Sequence, residues 1–166
     1  ISISLLTPGL AIEENALMIL SDNIKKFLWK KWHTEVTVSA NNGPCLSACL
    51  ANKMRTGTVI ANPDIKETEL LKKIISTNYY STEISDDLTG VELSGAIKNI
   101  YSMLIGASEG LSNSKASKDI QSKYYLNTSA SLIHRSISEM VEFVSHYGGN
   151  PETVYGLAGL GDLYVS

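Results

Sequence analysis

Apolar and polar positions alternate at the start of the chain and then recur at helical spacing. The first six residues, ISISLL, alternate isoleucine with serine and run into a Pro-Gly turn signal, which predicts a buried strand. The following segment, EENALMILSDNIKKFLWKKW, repeats apolar residues every three or four positions and predicts a helix whose lysines form a solvated face. The chain therefore opens as a strand followed by a helix.

Short strands and helices continue to alternate as far as about Tyr80. TEVTVSA and TGTVIAN have the pattern of strands, and LSACLANKM and PDIKETELLKKIIST that of helices. In the last helix, Pro63 suits a first-turn position and Asp64 suits the positive end of the helix dipole. This alternation indicates an α/β layer structure.

The pattern changes at STEISDDLTG, a cluster of turn-forming and capping residues. Beyond it we predict a helix that opens with LTGVELSGAIKN, capped by Asp86 or Asp87, and a second helix, SASLIHRSISEMVEFVSHYGG, stopped by its two glycines. The polar stretch between them, SNSKASKDIQSKYYLN, predicts a mobile loop. The fold class expected is α/β followed by all-α, with residues 1–85 as the first domain and 86–166 as the second.

Composition and charge narrow the classes of function. The chain has 166 residues, of which 43% are hydrophobic, and this suffices for a substantial core. Its net charge of -3 provides no general attraction for nucleic acid or an anionic membrane. No apolar run approaches the ~20 residues that a membrane span requires, and ISISLL lacks the features of a signal peptide. We expect a cytoplasmic protein without a nucleic-acid partner.

Cysteine and histidine give little sign of metal chemistry. Cys45 and Cys49 are flanked by leucine and alanine and are interpreted as small buried hydrophobic residues in a reducing compartment. The three histidines lie in neighbourhoods that suggest no metal triad. No metal site is therefore expected.

One lysine lies in the middle of the mostly small and apolar segment GVELSGAIKNIYSMLIGASEG. A buried unpaired ammonium is costly, so Lys98 must reach water or a partner. By periodicity alone, the favoured interpretation is a side chain whose stem covers apolar surface while its head reaches solvent. The glycines of YGLAGLGD have the wrong order for G-x-G-x-x-G and more readily permit a tight turn and a close helix approach.

Three phrases together carry a family resemblance: GPCLSACLANKMRTGTVIA, GVELSGAIKN and NPETVYGLAGLGDLYVS. In this order and separation they resemble the glycerol-3-phosphate dehydrogenases that use a nicotinamide cofactor, especially the bacterial-type enzymes. The resemblance covers nearly the whole chain, with the polar stretch as its weakest part. It implies that the first domain holds the later strands of a Rossmann-like nucleotide-binding domain and that the second begins a helical substrate domain like that of 6-phosphogluconate dehydrogenases.

The resemblance also implies roles for individual residues. Lys98 matches the family's active-site lysine, which polarises the substrate carbonyl and exchanges a proton while hydride passes to or from the nicotinamide. Asn99 and Asp162 match substrate-site positions, and Ser166 falls where the family usually has threonine. The implied reaction interconverts sn-glycerol 3-phosphate and dihydroxyacetone phosphate with NAD or NADP and feeds phospholipid synthesis. A homodimer is one assembly that the family would allow.

Several positions depart from the family pattern. The glycine-rich cofactor motif is not found in this chain. Pro8 stands where the family usually has a lysine, Cys49 where it has a carboxylate and Ser129 where it has an arginine, whereas Arg135 and Glu139 match the family helix as a structural ion pair. These departures favour a second hypothesis, a diverged or truncated relative that acts as a non-catalytic helical interaction module. A third is a dehydrogenase of the 6-phosphogluconate type with another substrate.

Overall fold

A computed structural model describes residues 1–6, 9–13, 16–112 and 125–166 of the chain. Six strands occur in these residues: β1 Ser2–Leu5, β2 Leu10–Glu13, β3 Ala16–Ile19, β4 Thr37–Asn42, β5 Thr56–Ala61 and β6 Tyr80–Ser85. The helices are α1 Leu20–Trp32, α2 Ser47–Ala51, α3 Ile65–Ile75, α4 Leu88–Ser112, α5 Tyr125–His146 and α6 Asp162–Val165. A 3-10 helix, Pro151–Tyr155, and a π-helical turn, Leu157–Gly161, connect α5 to α6.

Four of the strands form one mixed sheet in the order β1-β4-β5-β6. β1 and β4 are parallel, β5 and β6 are parallel, and the two pairs meet antiparallel between β4 and β5. Helices α1 and α3 make the crossovers of the two parallel pairs, as parallel strands require. The predicted α/β layer followed by helices is confirmed.

The first helix is shorter than predicted. The sequence pattern extended it back to Glu13, but Ala16–Ile19 is a strand that pairs antiparallel with Leu10–Glu13, so α1 begins only at Leu20. A short apolar run such as ALMI fits either a strand or a helix by periodicity, and here a pairing partner in the chain decides. Pro8, the first departure noted above, lies outside the described residues.

The strand β6 was missed by the sequence analysis. Its residues, YSTEIS, lie in the segment predicted as turns and caps, yet they pair along β5 from Thr56 opposite Tyr80 to Ala61 opposite Ser85. Serine and glutamate are poor strand formers in isolation, and the strand exists because a central strand offers it a parallel partner. The α/β layer therefore extends to Ser85, while the predicted domain division after that residue stays a prediction.

Smaller differences concern helices α2 and α3. α2 has five residues, none of which is buried. Cys49 in this helix and Cys45 before it are both half-buried free thiols, so the expectation that both are buried is wrong. Asp64 is the N-cap of α3, where its carboxylate accepts the Lys66 N–H at 3.0 Å. Pro63 precedes this cap instead of lying in the first turn.

The structure agrees with the predicted start of helix α4 and with the predicted stop of helix α5. Asp87 caps α4 by accepting the Gly90 N–H at 2.9 Å, and α5 stops before Gly148, whose φ is 82°. The predicted loop differs at its end, because helix α5 already begins at Tyr125; residues 113–124 lie outside the described residues. Among the described residues, no helix combines the length and apolar character that crossing a membrane requires.

One hydrophobic core joins the sheet to the helices. Val59 and Ala61 of β5 lie in the same buried cluster as Val91 and Leu93 of α4 and Met140 of α5. Helix α4 is therefore the central element of the described chain, in contact with the sheet on one side and with α5 and the last residues on the other.

Candidate active site

Lys98 and Asp162 form a buried ion pair where helix α4 meets the end of the chain. The Lys98 Nζ lies 2.7 Å from Asp162 Oδ2, and their side chains are 11% and 8% exposed. Nζ also donates to Ser166 Oγ at 2.7 Å, and this hydroxyl donates to the Asp162 carbonyl oxygen at 2.7 Å. Of the two outcomes expected for Lys98, water or a partner, the structure shows a partner, so the interpretation from periodicity alone, a head that reaches solvent, is wrong. The structure brings together three of the four predicted site residues.

Local backbone geometry presents Asp162 to the lysine. Asp162 is the first residue of α6, directly after the π-helical turn, in which the Gly161 N–H donates to the Gly156 carbonyl at 3.1 Å. A Cβ on Gly159 would lie 2.1 Å from the Val154 carbonyl oxygen, so the turn packs against the preceding 3-10 helix only with glycine there. The interpretation that these glycines permit a close approach is confirmed at Gly159, whereas a Cβ on Gly156 or Gly161 would make ordinary contacts of 3.4 Å or more.

The sheet also holds this turn. Asn42, the last residue of β4, is buried and donates from Nδ2 to the Ala158 carbonyl oxygen at 3.1 Å. Ala158 lies four positions before Asp162, so the carboxyl end of β4 is linked to the site by one side chain. Sequence reasoning missed Asn42, since an asparagine at the end of a strand is equally typical of an ordinary turn.

Burial dominates the electrostatics of the aspartate. Removal from water raises the pKa of Asp162 above its ordinary 3.8, while the hydrogen bond and the charge of Lys98 act in the opposite direction. An ammonium has three N–H donors, and Asp162 and Ser166 accept two of them among the described residues. The Lys98 ammonium is thus held in place by two acceptors, and its third N–H can donate to the oxygen of an added molecule.

Asn99, the fourth predicted site residue, lies apart from this pair. Its side chain is exposed, and the contacts of the described residues involve only its carbonyl oxygen, which accepts the Ser102 hydroxyl at 3.1 Å. The substrate role of Asn99 stays a prediction, as do the roles of the other three residues. Ser129 is buried and its hydroxyl has no hydrogen-bond partner among the described residues, at the position where the resembled family has arginine.

Neighbouring charges have structural partners. Arg135 Nε lies 2.8 Å from Glu139 Oε1, and Tyr101 donates to the other oxygen of Glu139 at 3.2 Å, which confirms the predicted ion pair. The described residues hold no group of three or more histidine, cysteine, aspartate or glutamate side chains arranged to bind a metal ion.

The known proteins that resemble this chain include glycerol-3-phosphate dehydrogenases. Residues 87–166 match the family model described as the C-terminus of NAD-dependent glycerol-3-phosphate dehydrogenase. The glycerol-3-phosphate dehydrogenase [NAD(P)+] of Clostridium acetobutylicum is 32% identical over 155 residues, covering 93% of this chain and 42% of that relative. The NADP(+)-dependent glycerol-3-phosphate dehydrogenase of Archaeoglobus fulgidus is 31% identical over 166 residues, covering 99% and 46%. The chain thus spans less than half the length of these curated relatives.

Solved structures share the fold. A glycerol-3-phosphate dehydrogenase from Coxiella burnetii superposes with a TM-score of 0.77 at 29% identity and covers 99% of this chain and 45% of that one. The structure of DsGPDH of Dunaliella salina, at 20% identity and a TM-score of 0.83, covers 99% and 26% and shows the fold alone.

The α/β layer followed by helices is the fold that this chain shares with a solved glycerol-3-phosphate dehydrogenase. Lys98 and Asp162 both lie in residues 87–166, the part of the chain that matches the C-terminus of the NAD-dependent glycerol-3-phosphate dehydrogenase family.

Proposed function

We propose that this chain is part of an NAD(P)-dependent glycerol-3-phosphate dehydrogenase and that it carries the proton-transfer residue of the reaction, Lys98. The proposed enzyme interconverts sn-glycerol 3-phosphate and dihydroxyacetone phosphate, in the cytoplasm, as a step toward phospholipid synthesis. The observation that supports it best is the buried ion pair, since Lys98 Nζ lies 2.7 Å from Asp162 Oδ2 within the residues that match the dehydrogenase family model. A homodimer and the lack of a nucleic-acid partner remain predictions.

The chemistry of the pair suits a carbonyl substrate. In the direction of reduction, the ammonium of Lys98 donates a hydrogen bond to the carbonyl oxygen and stabilises the negative charge that develops there. The same ammonium transfers a proton to that oxygen, so that reduction of the carbonyl yields an alcohol. Asp162 accepts a hydrogen bond from this ammonium and fixes its direction. In the reverse direction the neutral amine of Lys98 accepts the hydroxyl proton.

The cofactor is proposed to be NAD or NADP, the two that the relatives' names carry. The residues of this chain do not fit the whole of such a dinucleotide, because no G-x-G-x-x-G turn for the pyrophosphate occurs among them. No step is therefore derived through the cofactor, and the proposal for this chain concerns the substrate side.

The test is turnover of the full-length protein that contains this chain. Lys98→Ala should lower kcat by about 10²–10⁴-fold, the usual contribution of a general acid, with the fold retained. Lys66→Ala is the matched control, because Lys66 is an exposed lysine on helix α3. Near-normal turnover of Lys98→Ala would exclude the proposed role, and a panel of phosphorylated and hydroxy-acid substrates would reveal a dehydrogenase of the 6-phosphogluconate type.

A second candidate is a non-catalytic interaction module, favoured by one observation. Ser129 stands where the resembled family has arginine, and its buried hydroxyl has no hydrogen-bond partner among the described residues. Titration of NADH into the full-length protein separates the two candidates. Saturable binding supports the dehydrogenase, whereas a module without a cofactor site should show none.

A further inference from the structure

The two carboxylate oxygens of Asp87 bind two different parts of the chain. Oδ1 accepts the Gly90 N–H at 2.9 Å and caps helix α4. Oδ2 accepts the Asn150 N–H at 3.0 Å and the Thr153 hydroxyl at 2.5 Å. A helix cap needs one acceptor oxygen, so the second oxygen is committed to the segment that follows α5.

That segment leads directly to the candidate active site. From Asn150 the chain passes through the 3-10 helix and the π-helical turn to Asp162, which closes on Lys98. Asp87 holds the start of the segment and Lys98 holds its end. Since Asp87 and Lys98 are eleven positions apart at one helix, they are separated by ~16 Å along a rigid axis. The distance between the two anchor points is thereby fixed.

Backbone packing beside Asp87 leaves the segment little freedom to shift. A Cβ on Gly149 would lie 2.8 Å from Gly90 Cα and 2.7 Å from a Val144 methyl carbon. A Cβ on Gly90 would lie 1.8 Å from Asp87 Oδ2. The end of α5 and the start of α4 therefore meet backbone to backbone, and the Asp87 carboxylate fills the remaining space between them.

We propose that Asp87 is a positioning residue for the Lys98–Asp162 pair, acting through the segment 150–161. Its hydrogen bonds to Asn150 and Thr153 define where this segment leaves helix α4, and so where the Asp162 carboxylate meets the Lys98 ammonium. The relevance of this role to turnover rests on the proposed function, whereas the positioning itself is measurable without substrate or cofactor.

The test uses Asp87→Ser in the full-length protein that contains this chain. Serine still caps a helix, but its single short hydroxyl cannot also reach Asn150 and Thr153. Asp64→Ser is the matched control, because Asp64 caps α3 in the same way and its hydrogen bonds among the described residues run to Asn62, Lys66 and Glu67. Two quantities are measured: the acylation rate of Lys98 Nζ by an N-hydroxysuccinimide ester, followed by peptide mass spectrometry, and the ¹³C titration curve of the Asp162 carboxyl.

Asp87→Ser should raise the Lys98 acylation rate several-fold, because the amine loses part of its cover by Asp162 and Ser166. The Asp162 pKa should fall toward its ordinary 3.8, because the carboxyl moves into water. The control should leave both quantities at their wild-type values. An Asp87→Ser chain that is folded but keeps the wild-type acylation rate and titration would overturn the proposal and leave Asp87 as a cap alone.

If Asp87→Ser does not fold, Thr153→Val provides the same test. Valine has the shape of threonine without the hydroxyl that donates to Asp87 Oδ2, so a smaller change in the same direction is expected at Lys98 and Asp162. No change at either residue would overturn the proposal. These results are independent of catalysis, since an inactive full-length protein would contradict the proposed function and leave the positioning of Lys98 unaffected.

Discussion

Glu92 on helix α4 accepts hydrogen bonds from both the backbone N–H and the hydroxyl of Ser21. The N–H bond to Oε1 is 3.2 Å long and joins residues seventy-one positions apart, and the hydroxyl bonds Oε2. Ser21 lies in the first turn of α1, whose N-cap residue, Ile19, provides no side-chain acceptor. Glu92 is fully buried and serves as that helix's cap from another part of the chain. It thereby joins the helical part to the α/β layer.

Removal of this acceptor should destabilise the chain. Glu92→Ala should lower the free energy of unfolding by about 1–3 kcal/mol, because the Ser21 N–H and hydroxyl are left buried without a partner. Urea unfolding followed by circular dichroism measures the loss. Glu69→Ala, at an exposed glutamate of α3, is the control and should change stability by less than about 0.5 kcal/mol. Equal losses in the two variants would contradict a capping role for Glu92.

The charge of Glu92 should make stability depend on pH. Burial raises its pKa above the ordinary 4.5 and the charge of Asp22 adds to this, while the Ser21 hydrogen bonds and the charge of Lys25 lower it. Because the pKa is raised in the folded state, the stabilising contribution is complete below the unfolded pKa and is lost as the pH rises through the folded pKa. Glu92→Gln removes this dependence.

The measurement is urea unfolding of wild type and Glu92→Gln from pH 4 to pH 8. The stability of Glu92→Gln relative to wild type should rise with pH across the folded pKa of Glu92. Asp162, whose pKa is raised in the same direction, is present in both chains and cancels in the difference. Two stability curves that run parallel would show that Glu92 does not titrate differently in the folded chain.

Local sequence predicted those elements whose pattern is long or strongly marked. Strands β1, β4 and β5 and the helices α4 and α5 follow from alternation, helical spacing, an aspartate cap and a glycine stop. The strand β6 did not follow, because its partner β5 lies about twenty residues earlier in the chain. The antiparallel pair of β2 and β3 did not follow, because the short run ALMI fits a strand or a helix by periodicity. The six residues of β6 form a strand only because the fold places β5 beside them.

The candidate site shows the same limit. A lysine in an apolar helix predicts that Lys98 has a partner, but nothing in the local pattern indicates Asp162, which lies sixty-four positions later. The family resemblance supplied that residue. The resemblance did not indicate the bond of Asn42 to Ala158 or the bond that Asp87 accepts from Asn150. Asparagine at the end of a strand and aspartate before a helix are both explained locally, as a turn residue and as a helix cap.

Two glycines should respond in opposite ways to the same substitution. Gly159→Ala places a Cβ 2.1 Å from the Val154 carbonyl oxygen and should cost at least about 1–3 kcal/mol, because backbone must move. Gly106→Ala is the control, because Gly106 lies exposed on helix α4. Apart from its chain neighbours and its own helix backbone, no atom of the described residues lies within 4 Å of its Cβ position, and alanine should stabilise the chain by about 0.5–1 kcal/mol. Thermal unfolding compares them. A tolerated Gly159→Ala would mean that the turn before Asp162 is looser than described.

The Lys98–Asp162 pair should show strong energetic coupling in a double-mutant cycle of Lys98→Met and Asp162→Asn. Each single substitution leaves one buried group without its partner, at a cost of up to about 3–5 kcal/mol, whereas the double variant leaves neither charge. We therefore expect a coupling energy of about 1–3 kcal/mol from urea unfolding at pH 7. In Lys98→Met alone, the Asp162 pKa should rise further, because the hydrogen bond and charge that lower it are gone.

The exposed pair of Arg135 and Glu139 provides the matched cycle, since their side chains are 70% and 41% exposed at a similar separation, 2.8 Å. Solvent screens such a pair, and its coupling should be about 0.3–0.5 kcal/mol. A Lys98–Asp162 coupling no larger than this would mean that the two groups are solvated in solution. Lys98 would then lack the water-excluded setting in which an ammonium stabilises a developing negative charge, and the proton-transfer role proposed for it would lose its physical basis.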